Sequence, residues 1–168
     1  HWDTDSSPTL LMESVFILEC LAPSELNADR FLPPTPIRVV INHHGKPELN
    51  KDKRFLSFPK IMRNGPAHLI PEFEQISKLI PPMVEATEQL ASEQAAKTKQ
   101  HTFASMRQKL SAEINRLETL AKINVNVRSG EISLLKEEKK KLGRCLGQAR
   151  SRLDSIRLIW KGSMEKLQ

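Results

Sequence analysis

Residues 131–160 read EISLLKEEKKKLGRCLGQARSRLDSIRLIW, and the reading of this stretch decides the rest. Ile132, Leu135, Leu142, Leu146, Ala149, Leu153, Ile156 and Trp160 recur at alternating steps of three and four, interrupted only at Lys139. Steps averaging about 3.5 keep one apolar seam on one side of a helix packed lengthwise against another. A looser version precedes it in Phe103, Met106, Leu110, Ile114, Leu117 and Ala121. Between the two, Asn124 to Gly130 is long enough only for a reversal and rich in helix-ending residues. The pattern predicts an antiparallel helical hairpin with arms at about 82–123 and 130–161. Ser129 is placed to cap the second arm, and Glu131 lies in its first turn, where a carboxylate meets the positive end of the helix dipole.

Folding about Val125 to Arg128 sets Leu120 near Leu135, Ile114 near Leu142, Leu110 near Leu146, Met106 near Ala149 and Phe103 near Leu153. Lys139 then faces the Leu117 level with Glu113 and Glu118 in reach, its stem covering the seam while its charge seeks water. An arm of about thirty residues is a rod about 45 Å long.

A chain of 168 residues suits one domain, or a small domain with an appendage. No run approaches the roughly 18 apolar residues of a membrane span. The polar opening His-Trp-Asp-Thr-Asp-Ser-Ser is no signal peptide, and a start at His1 rather than Met points to a piece of a longer protein. Cys20 and Cys145 are expected as two reduced thiols in a cytoplasmic protein, with one disulfide the alternative. A net charge of +6 and a pI near 9.5 favour acidic partners, nucleic acid included.

Residues 1–8 are expected as a frayed lead-in, 9–65 as a small β-rich subdomain and 162–168 as a tail. Thr9 to Leu21 holds Val15, Phe16, Ile17 and Leu18, a strand covered on both faces and central to a sheet. Ala22 to Asn27 makes a helical turn after Pro23. Phe31-Leu-Pro-Pro-Thr-Pro36 is extended, because its prolines remove donors and fix φ. It leads into a strand from Ile37 to Asn42, ended by a turn at His43-His-Gly-Lys46. A connecting helix follows from about Pro66 to Ile80, and Pro82 is suited to begin the long first arm. The small residues from Ala86 to Ala96 allow close packing against the strands or the preceding helix. Two strands make a poor sheet, so a third is expected from 46–60, from residues before His1, or from both.

The chain carries no phosphate-binding P-loop, no Gly-x-Gly-x-x-Gly and no His-Glu-x-x-His. Gly45-Lys46 sits in a turn and is followed by Pro. His43 and His44 are expected to diverge at a strand end with no second ligand pair, so no metal and no cofactor is expected. No Ser or Cys has the setting of an activated nucleophile. The binding candidate is basic: Lys139, Lys140, Lys141, Arg144, Arg150, Arg152 and Arg157, set against Glu137, Glu138 and Asp154. A solvated helix surface is the plain reading of such a run. The functional one is contact with a phosphate backbone or an acidic protein surface. The absence of Tyr weighs against a single-strand RNA module that needs stacking rings.

Three stretches carry a resemblance: Asp29-Arg-Phe-Leu-Pro-Pro-Thr-Pro-Ile-Arg38, Lys109-Leu-Ser-Ala-Glu-Ile-Asn-Arg-Leu-Glu-Thr-Leu120 and Arg152-Leu-Asp-Ser-Ile-Arg-Leu-Ile159. With Asn124-Val-Asn-Val-Arg128 between the arms and an acid-bearing strand ahead of the prolines, the order resembles the C-terminal region of the RapA (HepA) family. These are bacterial RNA polymerase-associated ATPases of the SWI/SNF type. The resemblance covers about Thr9 to Ile159. It implies a helicase-like motor upstream, holding the ATP and Mg sites, and association of the whole protein with core RNA polymerase during recycling after transcription, in the cytoplasm at the nucleoid. It supplies no catalytic residue for any position here.

The expectation is therefore an α+β fragment: a small, incomplete antiparallel sheet packed against a long helical hairpin at its open end. Its leading role is that of a noncatalytic domain for polymerase docking or motor regulation. A nucleic-acid-binding module on the basic second arm, or a purely structural spacer, is the alternative.

Overall fold

In the computed structural model, residues 9–48 and 73–161 are described. The expected lead-in at 1–8, the tail at 162–168 and the segment 49–72 lie outside them. The element order is β1 (Thr9–Glu19), β2 (Thr35–Asn42), α1 (Phe73–Ser77), α2 (Ile80–Ala121), α3 (Ser129–Gly147) and β3 (Arg150–Lys161). Two single 3-10 turns, Ser24–Leu26 and Ala28–Arg30, lie between β1 and β2. The strands form an antiparallel sheet in the order β2-β1-β3, so the fold is α+β as expected.

β1 is the central strand. Leu10, Met12, Ser14, Phe16 and Leu18, all on one face of the pleat, are buried, and Leu11 and Glu13 on the other face are buried as well. Coverage on both faces fits a run in which apolar residues fall on both sides of the pleat. In β2, Ile37, Val39 and Ile41 are buried on one side, while Arg38 leaves from the other. β2 ends in a tight turn in which the Asn42 side chain accepts hydrogen bonds from the backbone N–H groups of His44 (3.0 Å) and Lys46 (3.1 Å). Gly45 takes the left-handed conformation (φ 73°) that closes this turn. A Cβ placed on Gly45 would lie 3.8 Å from that of Ala86, so small residues do bring α2 close to the strands here.

The described chain divides into two compact units, each discontinuous in sequence. One takes in 9–16, 38–48, 73–91 and 153–161; the other takes in 17–37 and 92–152.

α2 is helical because nothing between Ile80 and Ala121 interrupts it. The stretch has no Gly, and Pro81 and Pro82 fall in the first turn, where their missing N–H groups would have had no helical partner. The expected connecting helix is described only from Phe73, as the short α1, and α2 starts three residues after it ends.

The second arm corrects the expectation. α3 stops at Gly147, and residues 150–161, which include Leu153, Ile156 and Trp160 of the projected seam, form β3. The chain leaves the helix where Gly147 offers little helical preference and the Gln148 N–H closes the last turn onto the Arg144 and Cys145 carbonyls. The third strand thus comes from the C-terminal part of the chain. Its pull is electrostatic as well as backbone pairing. Glu13, at the middle of the central strand, has a side chain only 8% exposed and is an ion-pair partner of Arg38 on β2 and Arg157 on β3. The Arg157 Nε–H donates to Glu13 Oε2 at 2.6 Å, while the Arg38 Nε–H donates to the other oxygen. One carboxylate therefore joins all three strands. A second rung, Arg152 to Glu19 at 3.6 Å, lies nearer the end of β1.

The loop also differs in detail. Ser129 is the first residue of α3 and makes no cap; Arg128 holds the N-cap position without a side-chain bond, and the Ser129 carbonyl accepts from the Ser133 hydroxyl at 3.1 Å. Glu131 is in the first turn as expected.

Removing the Glu13 carboxylate leaves two guanidinium groups facing each other across the central strand. Glu13→Ala is expected to cost about 2–3 kcal/mol, less than for a wholly buried pair because Arg157 is half-exposed, as read by urea denaturation. Leu142 is fully buried, and Leu142→Ala is expected to lower stability by about 3 kcal/mol in the same measurement.

Candidate protein-docking groove on the helical hairpin

α2 lies alongside α3 and the two residues that follow it in the second unit, as four contacts show. The Lys136 ammonium pairs with Glu118 at 2.7 Å, and the Lys139 ammonium donates to the Ser111 hydroxyl at 2.7 Å. The Lys99 ammonium donates to the Ala149 carbonyl at 3.1 Å, and a Cβ on Gly143 would stand 3.4 Å from the Phe103 ring. Met106, Leu110, Ile114, Leu142 and Leu146, all members of the two projected seams, are buried.

The register departs from the expected one. Lys139 sits opposite Ser111 instead of at the Leu117 level, because α2 ends at Ala121 and the reversal closes early. The N–H groups of Ile123 and Asn124 both donate to the Leu120 carbonyl. Glu113, foreseen near Lys139, instead accepts two hydrogen bonds from Arg116 on its own helix, at 2.9 and 2.6 Å. Those bonds hold the Glu113 carboxyl below, and the Arg116 guanidinium above, their ordinary ranges.

The seven basic residues singled out in the sequence do not form one face. Lys139, Lys140, Lys141 and Arg144 are on α3, while Arg150, Arg152 and Arg157 are on β3, where Arg152 and Arg157 meet carboxylates of β1. Lys139 is half-buried; Lys140, Lys141 and Arg144 are exposed.

Three of those four line a groove of about 700 Å³ between α2 and α3. Arg107 and Lys136 join Lys139, Lys140 and Arg144 around it, against a single carboxylate, Glu118. Its apolar lining is Phe103, Met106 and Ile114, with Gly143 admitting the Phe103 ring between the helices. The Arg107 guanidinium stands 5.8 Å from the centre of that ring. Arg107 and Phe103 were not foreseen as site residues. The available signal was the bareness of Gly143 in a helix otherwise rich in Lys and Leu. Residues 92–152 hold fourteen Lys and Arg against six Glu and no Asp, a formal +8 where the whole chain has +6.

Elsewhere the described residues offer little chemistry. His43 and His44 do not diverge, since their rings lie tilted at 43° to one another with centroids 3.9 Å apart in the turn after β2. Among the described residues, no group of three or more His, Cys, Asp and Glu is arranged to hold a metal. Cys20 and Cys145 are free thiols, both half-buried. Burial first, then the neighbouring Cys145 and Asp29, push the Cys20 thiol above its ordinary value. No described helix is long and apolar enough to cross a membrane.

Comparison with known proteins adds the lineage. A profile described as RNA polymerase recycling family C-terminal matches residues 3–161. The chain belongs to that family. RNA polymerase-associated protein RapA of Yersinia enterocolitica is 36% identical over 152 residues, which cover 90% of this chain and 16% of that protein. The RapA proteins of Vibrio campbellii and Serratia proteamaculans, at 32% and 34% identity, are matched over the same shares. The chain thus spans about a sixth of the length of these relatives and corresponds to the family's C-terminal region. The three stretches that carried the resemblance all lie inside the match.

Because Lys140, Lys141 and Arg144 project to solvent, reversing any one of them to Glu is expected to change stability by no more than about 0.5 kcal/mol. A thermal melt followed by circular dichroism checks this.

Proposed function

We propose that this chain is a noncatalytic C-terminal domain of a RapA-like polymerase-recycling ATPase, acting in docking to core RNA polymerase or in regulation of the motor. The observation that carries this reading is the family match across nearly the whole chain, joined to a share of only 16% of the relatives' length. A region of that size leaves room for a motor elsewhere in such a protein, and the sequence here holds no nucleotide-binding motif. ATP and Mg belong to the motor in this reading, and the place of action is the cytoplasm, at the nucleoid.

The hairpin supports protein contact better than phosphate contact. Arg152 and Arg157 face carboxylates within the sheet, which takes them out of the proposed basic face, while the cations of α2 and α3 surround an apolar groove. An apolar lining adds affinity for a protein surface and little for a phosphate backbone. A spacer role requires only the packed seam, so it gives no account of five cations gathered around one groove.

A pull-down with core RNA polymerase decides the docking role. The full-length protein is expected to be retained, and a version truncated before Thr9 to bind at least about tenfold more weakly. Equal retention removes this domain from docking.

A further inference from the structure

We infer that the groove between α2 and α3 is a receptor for one acidic amphipathic helix of a protein partner. This deepens the docking reading by naming the chemistry of what docks, and it rests on that reading.

The first argument is shape. The lining residues of α2 run from Phe103 to Glu118 along one helical face, and those of α3 run from Lys136 to Arg144 along the facing one. Fifteen residues of helix are about 22 Å long, or about four turns. The α3 side spans about 12 Å, and a trough walled by two antiparallel helices over that length offers a seat for about two turns of a third helix, reading its apolar positions at i, i+3/i+4 and i+7. Phe103, 37% exposed, supplies the open apolar surface, with the buried Met106 and Ile114 forming the floor beneath it.

The second argument is charge. Lys136, Lys140 and Arg144 stand at i, i+4 and i+8 on α3, a ridge of one cation per turn along the rim. Arg107 stands on the α2 side. Lys136 already pairs with Glu118, but among the described residues neither Lys140 nor Arg144 has a carboxylate partner. Carboxylates spaced one turn apart on an incoming helix match this ridge position for position. Such complementarity sets orientation and association rate more than raw affinity.

The same observations disfavour a nucleic-acid strand. A phosphate backbone leaves the apolar lining unused, and Phe103, the one aromatic ring lining the groove, gives a single stacking platform where strand binding uses several.

The test uses the 168-residue chain and fluorescence anisotropy with three labelled probes. One is a helical peptide of about 18 residues, with a Leu stripe flanked by Glu at one-turn spacing. The second is its match with Lys for each Glu, and the third is a thymidine oligonucleotide of similar length. The acidic helix is expected to bind and to weaken with added salt, while the Lys peptide does not bind. The double variant K140E/R144E, whose fold is checked by its melting temperature, is expected to lose about tenfold or more in affinity for the acidic helix. Phe103→Ala, which removes apolar lining without changing charge, is expected to weaken the same probe.

Equal binding of the acidic helix by parent and K140E/R144E overturns the inference. So does an acidic helix that fails to bind, or an oligonucleotide that binds in its place. Polymerase retention that needs this domain but ignores K140E/R144E removes the groove and leaves docking itself standing.

Discussion

One carboxylate decides how this domain closes. Glu13 lies in the middle of the central strand and is nearly sealed from water, a position that a bare charge cannot occupy without several kcal/mol of desolvation cost. Its two oxygens take Arg38 from one neighbouring strand and Arg157 from the other. The acid therefore specifies both neighbours of β1, and it requires the chain beyond Gly147 to return as a strand. Had residues 150–161 remained helical, β1 would keep an unpaired edge and Glu13 half of its compensation. The Arg152–Glu19 rung repeats the logic in a more exposed setting, where an ion pair contributes little to stability.

That requirement explains where the sequence was legible and where it misled. The hydrophobic run Leu10 to Leu18 reads directly as a doubly covered strand, and Pro81-Pro82 reads directly as the start of a long helix. The step pattern in 132–160 holds through Leu146, with Leu142 and Leu146 buried and Ile132 and Leu135 half-buried. Beyond Gly147 the same steps of three and four persist, but Leu153 and Ile156 then fall on opposite faces of a strand. Twelve residues are too few for periodicity to separate the two conformations when the deciding partner, Glu13, lies 144 positions away. The clues present were local: Gly147 as a helix terminator and the β-branched Ile156 and Ile159. Shortening the second arm also split the basic run, which periodicity had placed on one helix, between α3 and β3.

The groove was less legible than the fold. Counting charge found Lys139, Lys140, Lys141 and Arg144, but Arg107 and Phe103 lie on the other arm, and only the register brings them across. That register follows from a reversal that closes on the Leu120 carbonyl, a detail of turn geometry that residue spacing does not fix. Gly143 then has a clear role. A helix-interior glycine is costly in isolation, and here it admits the Phe103 ring between the helices and shapes the trough. Family membership says what kind of protein such a region belongs to; the trough and its rim of cations say what kind of surface it presents.

The account depends most on Glu13 and Arg157 meeting across the sheet. A double-mutant cycle with Glu13→Gln and Arg157→Met, followed by urea denaturation, measures that meeting directly. The structure predicts a coupling energy of about 1–2 kcal/mol between the two positions. A coupling indistinguishable from zero contradicts the meeting of Glu13 and Arg157 across the sheet on which the account rests.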